Sequence, residues 1–267
     1  RTRDVPGPVV RSLFTGSDGQ PVLNFGYYVS DHTSPFSERW GGYYVTGTHG
    51  KMLHMGNLLT DRSQPLAEID YSQGANISDL AGWFDTRPYL SAHSDIVALM
   101  VLEHQSQMQN LITRARYEEV RGRYYDKALE SNKDFRSDLS QRLVARAGNE
   151  LLKYMLFTGE FRLRAPVKGT SGFAREFSAR GPRDRKGRSL YQLDLVTRLF
   201  KYPMSYMVYT ASFRKLPSRV MVHIRRELRK VLTASSPGDD YAHLGLKDRR
   251  AIFEILKDTC PELADGW

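Results

Sequence analysis

Apolar residues recur at helical spacing in the C-terminal two-thirds of the chain. Over 96–112 they fall three or four positions apart, on a face that also carries His104. This pattern predicts a helix that starts after a serine cap, Ser91 or Ser94, and ends near Arg121. Proline residues separate the later stripes, which predict further helices at about 137–157, 190–200, 204–213, 218–232 and 247–259.

The first third lacks such stripes and is rich in turn residues and aromatics. Residues 22–29 predict a short strand, and 40–47 predict either a short strand or an extended loop. Glycines in the second segment let the backbone pass close to another group. We therefore predict a mainly α fold in one domain, 1–267, with an irregular N-terminal third (1–92, short strands or loops) and a helical C-terminal two-thirds (93–267).

Composition adds two constraints. Hydrophobic residues make up 40% of the 267 residues, as in ordinary globular chains, and no apolar run approaches the ~20 residues of a membrane-spanning helix. The sequence begins at Arg1, without methionine or a signal-peptide pattern. We expect a processed chain, or a fragment of a longer one.

A formal charge of +9 favours acidic partners or anionic surfaces. Six cations against two acidic residues leave +4 in the loop 175–188, which we expect to be exposed and to dock an acidic partner; an alternative is a solvated connector. Aromatics are not interleaved with these charges, so nucleic acid is not expected. The six cations are Arg175, Arg180, Arg183, Arg185, Lys186 and Arg188.

The densest group of soft ligands is the segment 47–57. It holds His49, Met52, His54 and Met55 between glycines. Imidazole and thioether side chains ligate haem iron or copper, and flanking glycines allow close approach to a flat cofactor. The alternative is that the histidines form hydrogen bonds within a tight loop while the methionines pack.

A second group lies on the first predicted helix. Met100, His104 and Met108 are four residues apart and share one face. Glu103 lies in an otherwise apolar turn, so we predict that it is buried and paired, because an unpaired buried carboxylate is costly. A role orienting a histidine fits this position. We also predict that His104 comes together with His49 and His54. The alternative is a core methionine stripe with one satisfied histidine.

Several stretches resemble a group of bacterial secreted proteins related to c-type cytochromes. The resemblance covers most of the chain and is most specific at GTHG and HMGN (47–57) and at LEHQ (102–105); it also includes VPGP (5–8), the stretch 38–46 and the stretch 187–203. Members of that group carry a CxxCH haem-attachment motif shortly before this region. The single cysteine here, Cys260, forms no such motif, so either the haem-bearing segment lies upstream of these residues or this version has lost it. The resemblance implies haem c attached outside this segment, and a periplasmic or secreted redox role.

Three functional hypotheses remain open. The first is a periplasmic, cytochrome-related electron-transfer protein or subunit. The second is a non-haem enzyme that holds iron, copper or zinc with histidines and Glu103. The third is an accessory subunit that docks through its basic surface. No serine-hydrolase, zincin, dinucleotide or P-loop motif occurs. In the first hypothesis Glu103 orients one of the metal- or haem-facing residues, which are His49, His54, His104, Met52, Met55 and Met100.

Overall fold

The computed structural model describes residues 5–61, 65–129 and 137–267. The predicted mainly α class is confirmed. The helices of these residues are α1 (Ile96–Leu129), α2 (Asp138–Met155), α3 (Phe173–Ala179), α4 (Ala211–Arg214), α5 (Ser218–Thr233), α6 (Leu246–Thr259) and α7 (Pro261–Ala264). None of these helices is long and apolar enough to cross a membrane.

Helix α1 packs against α2, α3, α4 and α5 and against two of the short strands described below. Asp95, not a serine, caps its start: the carboxylate accepts the backbone N–H groups of Val97 (2.8 Å) and Ala98 (3.4 Å). The predicted stripe is buried on this helix, including His104, which has no exposed surface. Burying one face of a long helix places the polar groups of that face inside the protein, where they need partners.

The remaining long helices follow α1 in a layered order. Helix α2 begins at the cap Ser137, whose hydroxyl accepts the N–H of Ser140, and packs along α1. Helix α5 packs on α2, and α6 packs on α5. Their buried apolar faces join one core that extends in sequence from Phe36 to Leu263.

Short strands and turns build the N-terminal region. Strands β1 (Val10–Ser12) and β2 (Tyr28–Ser30) form one antiparallel pair, and β3 (Gly47–Thr48) pairs antiparallel with β4 (Lys168–Gly169). Gly41 shows the close approach that its sequence segment predicts, since a Cβ there would lie 2.7 Å from the carbonyl oxygen of Leu13.

Two predicted helices are wrong. Residues 190–200 form turns, and 204–213 hold only a 3-10 turn and the start of α4. The side chain of Asp194 accepts the N–H groups of Val196 (2.8 Å) and Thr197 (2.7 Å), and Leu195 has a positive φ of 60°. These local bonds compete with a helix, and the chain folds back on itself.

Other boundaries also differ from the sequence predictions. The predicted strand 22–29 is replaced by a 3-10 turn at Leu23–Phe25 followed by β2. The proposed division at residue 93 is not confirmed, because the stretch between α2 and α4 contains mostly turns, with β4 and the short α3.

Candidate functional site

A buried ion pair joins the N-terminal loops to α1. The guanidinium of Arg39 donates from Nη1 to Oε2 of Glu103 at 3.0 Å, and the two side chains are 2% and 0% exposed. Arg39 also donates to the carbonyl oxygens of Ser34 (2.6 Å) and His32 (3.1 Å). The prediction that Glu103 is buried and paired is confirmed. Its partner is an arginine rather than a histidine.

Aromatic rings surround this pair and exclude water from it. The guanidinium carbon of Arg39 lies 5.3 Å from the ring centre of Phe36 and 5.9 Å from those of Trp40 and Phe161. Burial raises the pKa of Glu103, and the charge of Arg39 opposes that rise and favours the ionised carboxylate. The pair therefore holds its geometry in a region where an unpaired charge is strongly unfavourable.

His104, next to Glu103, belongs to a different cluster. Its Nδ1 lies 2.8 Å from Nδ1 of His32, and its Nε2 lies 2.8 Å from the hydroxyl of Ser205. The rings of Tyr154 and Phe157 stack on both imidazoles, with centroid distances of 4.0–5.4 Å. Serine beside histidine resembles a nucleophile and its base. However, Ser205 and His104 have no exposed surface, so no substrate reaches them in this conformation.

Both imidazoles of this cluster are neutral. Burial lowers the pKa of His104 to about 3 and that of His32 well below its usual value. Only one of the two facing Nδ1 atoms carries a proton. We assign it to His32, because this choice leaves Nε2 of His32, which has no partner within the described residues, as a bare lone pair rather than a buried N–H.

The glycine-flanked segment 47–57 holds a second imidazole pair, whose ring centres are 4.8 Å apart. Nδ1 of His54 accepts the N–H of Gly56 at 3.0 Å, and Nε2 of His49 accepts the N–H of Asn76 at 3.2 Å. Burial lowers the pKa of His49. Burial, with the repulsion that would arise if both rings were protonated, lowers the pKa of His54 to about 3. Both are neutral, and the lone pair of each is already used by a backbone N–H.

The structure does not bring this pair together with His104. The ring contacts of His104 are with His32 and with tyrosine and phenylalanine side chains, whereas those of His49 are with Phe36 and His54. Across 5–61, 65–129 and 137–267, no three histidine, cysteine or acidic side chains are grouped so as to hold a metal ion. That the individual residues face a haem or metal stays a prediction.

The three methionines of the prediction occupy different environments. Met100 lies in the main core, and Met55 lies in a small separate cluster with Phe14, where its sulfur accepts a hydrogen bond from Ser12. Met52 lies at the edge of the core, and its sulfur accepts the N–H of Arg164 at 3.3 Å. Met52 also lines a cavity.

That cavity is a cleft of about 700 Å³ between the segment 50–53 and the segment 161–165. Its walls include Phe36, Met52 and Phe161, and Lys51 and Arg164 at its edge are exposed. His49 and His54 do not line it. The cleft combines apolar walls with two cations, a composition that suits a flat amphipathic anion.

The basic loop is only partly free to bind a partner. Lys186 and Arg188 each bind Glu254 of α6 at 2.7 Å, and Arg185 lies 3.5 Å from Asp258. Arg183 donates to backbone oxygens. The predicted exposure holds for all six cations except Arg188, which is half-buried and also binds Asp184. Arg175 and Arg180 are exposed and extend from the α3 region.

Sequence reasoning missed Arg39, His32 and Ser205. Their partners on α1 lie 64, 72 and 101 residues away in sequence, beyond the reach of any local pattern. One signal was available for the first. A buried carboxylate requires a cation, and Arg39 lies beside Trp40 in the segment that the family resemblance includes.

A comparison of this chain with protein-family models, with curated proteins and with solved structures found no match. The site is therefore interpreted from its own geometry.

Replacing Glu103 should show how much stability depends on the buried ion pair. We expect Glu103→Ala to lower the free energy of unfolding by about 3–5 kcal/mol, because it leaves the charge of Arg39 buried and unpaired. Glu103→Gln keeps an acceptor of the same shape and should cost less. Chemical denaturation measures both. In the exposed Arg87–Asp85 pair, Asp85→Ala should leave stability nearly unchanged. Equal effects for Asp85→Ala and Glu103→Ala would contradict the role assigned to burial.

The low pKa of His54 predicts a loss of stability in acid. The unfolded chain binds a proton near pH 6.5 that the folded chain does not bind until about pH 3. The contribution of His54 is therefore complete above pH 6.5 and is lost as the pH falls towards 3, by at most about 1.4 kcal/mol per unit. His54→Asn keeps an acceptor for Gly56 but does not titrate. The free energy of unfolding of each protein is compared with its own value at pH 8. Between pH 6 and 4 it should fall less in the variant than in the wild type. Parallel curves would show that His54 does not carry this effect.

Proposed function

We propose that this chain is the haem-facing part of a periplasmic, cytochrome-related redox protein, with the haem attached outside the segment. The observation that carries the proposal is the cleft beside Met52. One of its three walls, residues 50–53, belongs to the GTHG…HMGN segment, the most specific part of the family resemblance; residues 35–37 and 161–165 form the others. A haem docked there would supply one-electron transfer.

The chemistry of the lining residues fits a haem edge better than a ligated metal. Phe161, which stacks on the buried ring of Phe36, gives apolar surface for a porphyrin, and Lys51 and Arg164 match the charge of its propionates. Met52 offers the only thioether in the lining. His49 and His54 would support the cleft from behind, because their lone pairs hold the backbone of the loop and its neighbour.

The competing metal-enzyme hypothesis has less support. Glu103 is engaged by Arg39, and His104 is engaged by His32 and Ser205. A metal held by these groups would first have to displace each of those partners, in a region without exposed surface. Electron transfer needs no such rearrangement, since a haem edge can contact the surface of the cleft.

A haem c peptide, in which haem is attached to a short CxxCH peptide, tests this proposal. We expect saturable one-to-one binding, followed by the shift of its Soret band. Lys51→Glu with Arg164→Glu should weaken binding at least tenfold, because both cations become anions facing the propionates. The control Arg142→Glu with Arg175→Glu makes the same charge change elsewhere. Absence of binding, or equal weakening by the control pair, would contradict docking in this cleft.

For partners, we propose that the exposed cations of the 175–188 loop attract an acidic redox protein. Arg175 and Arg180 are the best placed, because Arg185, Lys186 and Arg188 already bind carboxylates of their own chain. The chain's charge of +9 supports the same choice of partner.

An association experiment tests this proposal with an acidic c-type cytochrome as the probe. Arg175→Ser with Arg180→Ser should slow association. The difference in rate between this variant and the wild type should shrink as salt rises above 0.1 M, where the Debye length is ~10 Å and falls further. Arg142→Ser with Lys127→Ser is the matched control. Arg188→Ser should lower stability instead, since the buried carboxylate of Asp184 loses its ion-pair partner and Glu254 loses one of its cations. A rate insensitive both to salt and to the loop variant would identify the loop as a connector.

A further inference from the structure

A second cavity, of about 330 Å³, opens beside the turn that follows α2. Phe157, Glu160 and Arg162 line it from that turn, Arg198 lines it from the 190–200 segment, and His243 lines it from the segment before α6. It shares no lining residue with the cleft beside Met52. Nothing in the proposed function uses it.

The turn presents Glu160 in a fixed position. Phe157 adopts a φ of +61°, which is unusual for a bulky residue, and its ring is held between the stacked imidazoles and Phe200. The N–H of Glu160 donates to the carbonyl of Phe157 at 3.2 Å, and its Oε1 accepts the N–H of Leu199 at 2.8 Å. Backbone bonds at both ends thus hold the Glu160 carboxyl at the cavity.

Burial raises the pKa of Glu160 to about 7. The bond from Leu199 and the charges of Arg198 and Arg39 oppose the rise, and the charge of Asp194 adds to it. At neutral pH this carboxyl is therefore protonated in a large share of molecules. A protonated carboxyl is a hydrogen-bond donor, which an ionised one is not.

The other polar groups at the cavity are mainly donors and cations. Arg162 is exposed. Arg198 is held by Asp248 through two bonds of 2.8 and 2.9 Å, yet its buried Nε has no hydrogen-bond partner among the described residues. Nε2 of His243 lies 2.7 Å from the carbonyl oxygen of Leu156 and donates to it. The carboxylate of Asp194 is already occupied by backbone N–H groups.

We propose that this cavity binds a small oxyanion, held by Arg162 and Arg198 and by a hydrogen bond from the carboxylic acid of Glu160. The acid and the anion share one proton, so the repulsion between two negative charges is removed. A hydrogen bond from a carboxylic acid to an anion is charge-assisted, and such bonds are stronger than those between neutral groups. Carboxylates and sulfate- or phosphate-type anions share this chemistry. Proton and anion binding are then coupled, each favouring the other.

Calorimetric titration with acetate and with sulfate, at constant ionic strength and pH 6 to 9, tests the proposal. We expect saturable binding of at least one anion. Its affinity should fall by up to tenfold per pH unit above about 7, because one proton must be taken up with each anion. Titrations at pH 8 in buffers of different ionisation enthalpy should give an uptake close to one proton. Preference for acetate or for sulfate assigns the ligand to carboxylates or to tetrahedral oxyanions.

Two variants separate the role of Glu160 as a proton donor from the role of Arg162 as a cation that binds the anion. Glu160→Gln keeps a donor that does not titrate, so it should still bind the anion at pH 8, without proton uptake. Arg162→Gln should weaken binding at least tenfold, whereas Arg142→Gln, an equal charge change on α2, should not. Absence of saturable binding, pH-independent affinity in the wild type, or wild-type affinity in Arg162→Gln would overturn the proposal. If Glu160→Gln fails to fold, the proton uptake of the wild type at pH 8 tests the role of Glu160: an uptake close to one proton supports the proposal, and no uptake contradicts it.

Discussion

The buried contact between Arg39 and Glu103 is the constraint on which the rest of the structure depends. The N-terminal loops have little secondary structure of their own, and this pair fixes them to the long helix α1. Because Arg39 also binds two backbone oxygens of the 32–34 segment, it sets the position of His32. Removing two charges from water is costly, so the pair specifies this arrangement rather than simply adding stability.

Two pairs of neutral imidazoles are buried in the same region of the protein. In one pair His32 and His104 bind each other, and His104 also binds Ser205; in the other, His49 and His54 each accept a backbone N–H. Burial keeps these four side chains uncharged, so they act as compact donors and acceptors inside the protein.

Local patterns in the sequence predicted what local interactions determine. Helices α1, α2, α5 and α6 follow from apolar spacing and caps, and the burial of Glu103 follows from its apolar neighbours. The identity of its partner could not follow, because Arg39 lies 64 residues away. The helix predicted at 190–200 failed for the opposite reason: apolar spacing was present, but the side chain of Asp194 captures the backbone N–H groups that a helix would use. Sequence spacing placed His49 and His54 in one loop, but it carried no information about their separation from His104.

Hydrogen exchange of the backbone amides, followed by mass spectrometry in the wild type and in Glu103→Gln, tests most directly whether the ion pair holds the N-terminal loops on α1. The account predicts faster exchange at amides that are bonded in these loops, such as those of Met55 and Asn57, while α5 and α6 keep their protection. Unchanged exchange in the loops, or an equal increase throughout α5 and α6, would contradict it.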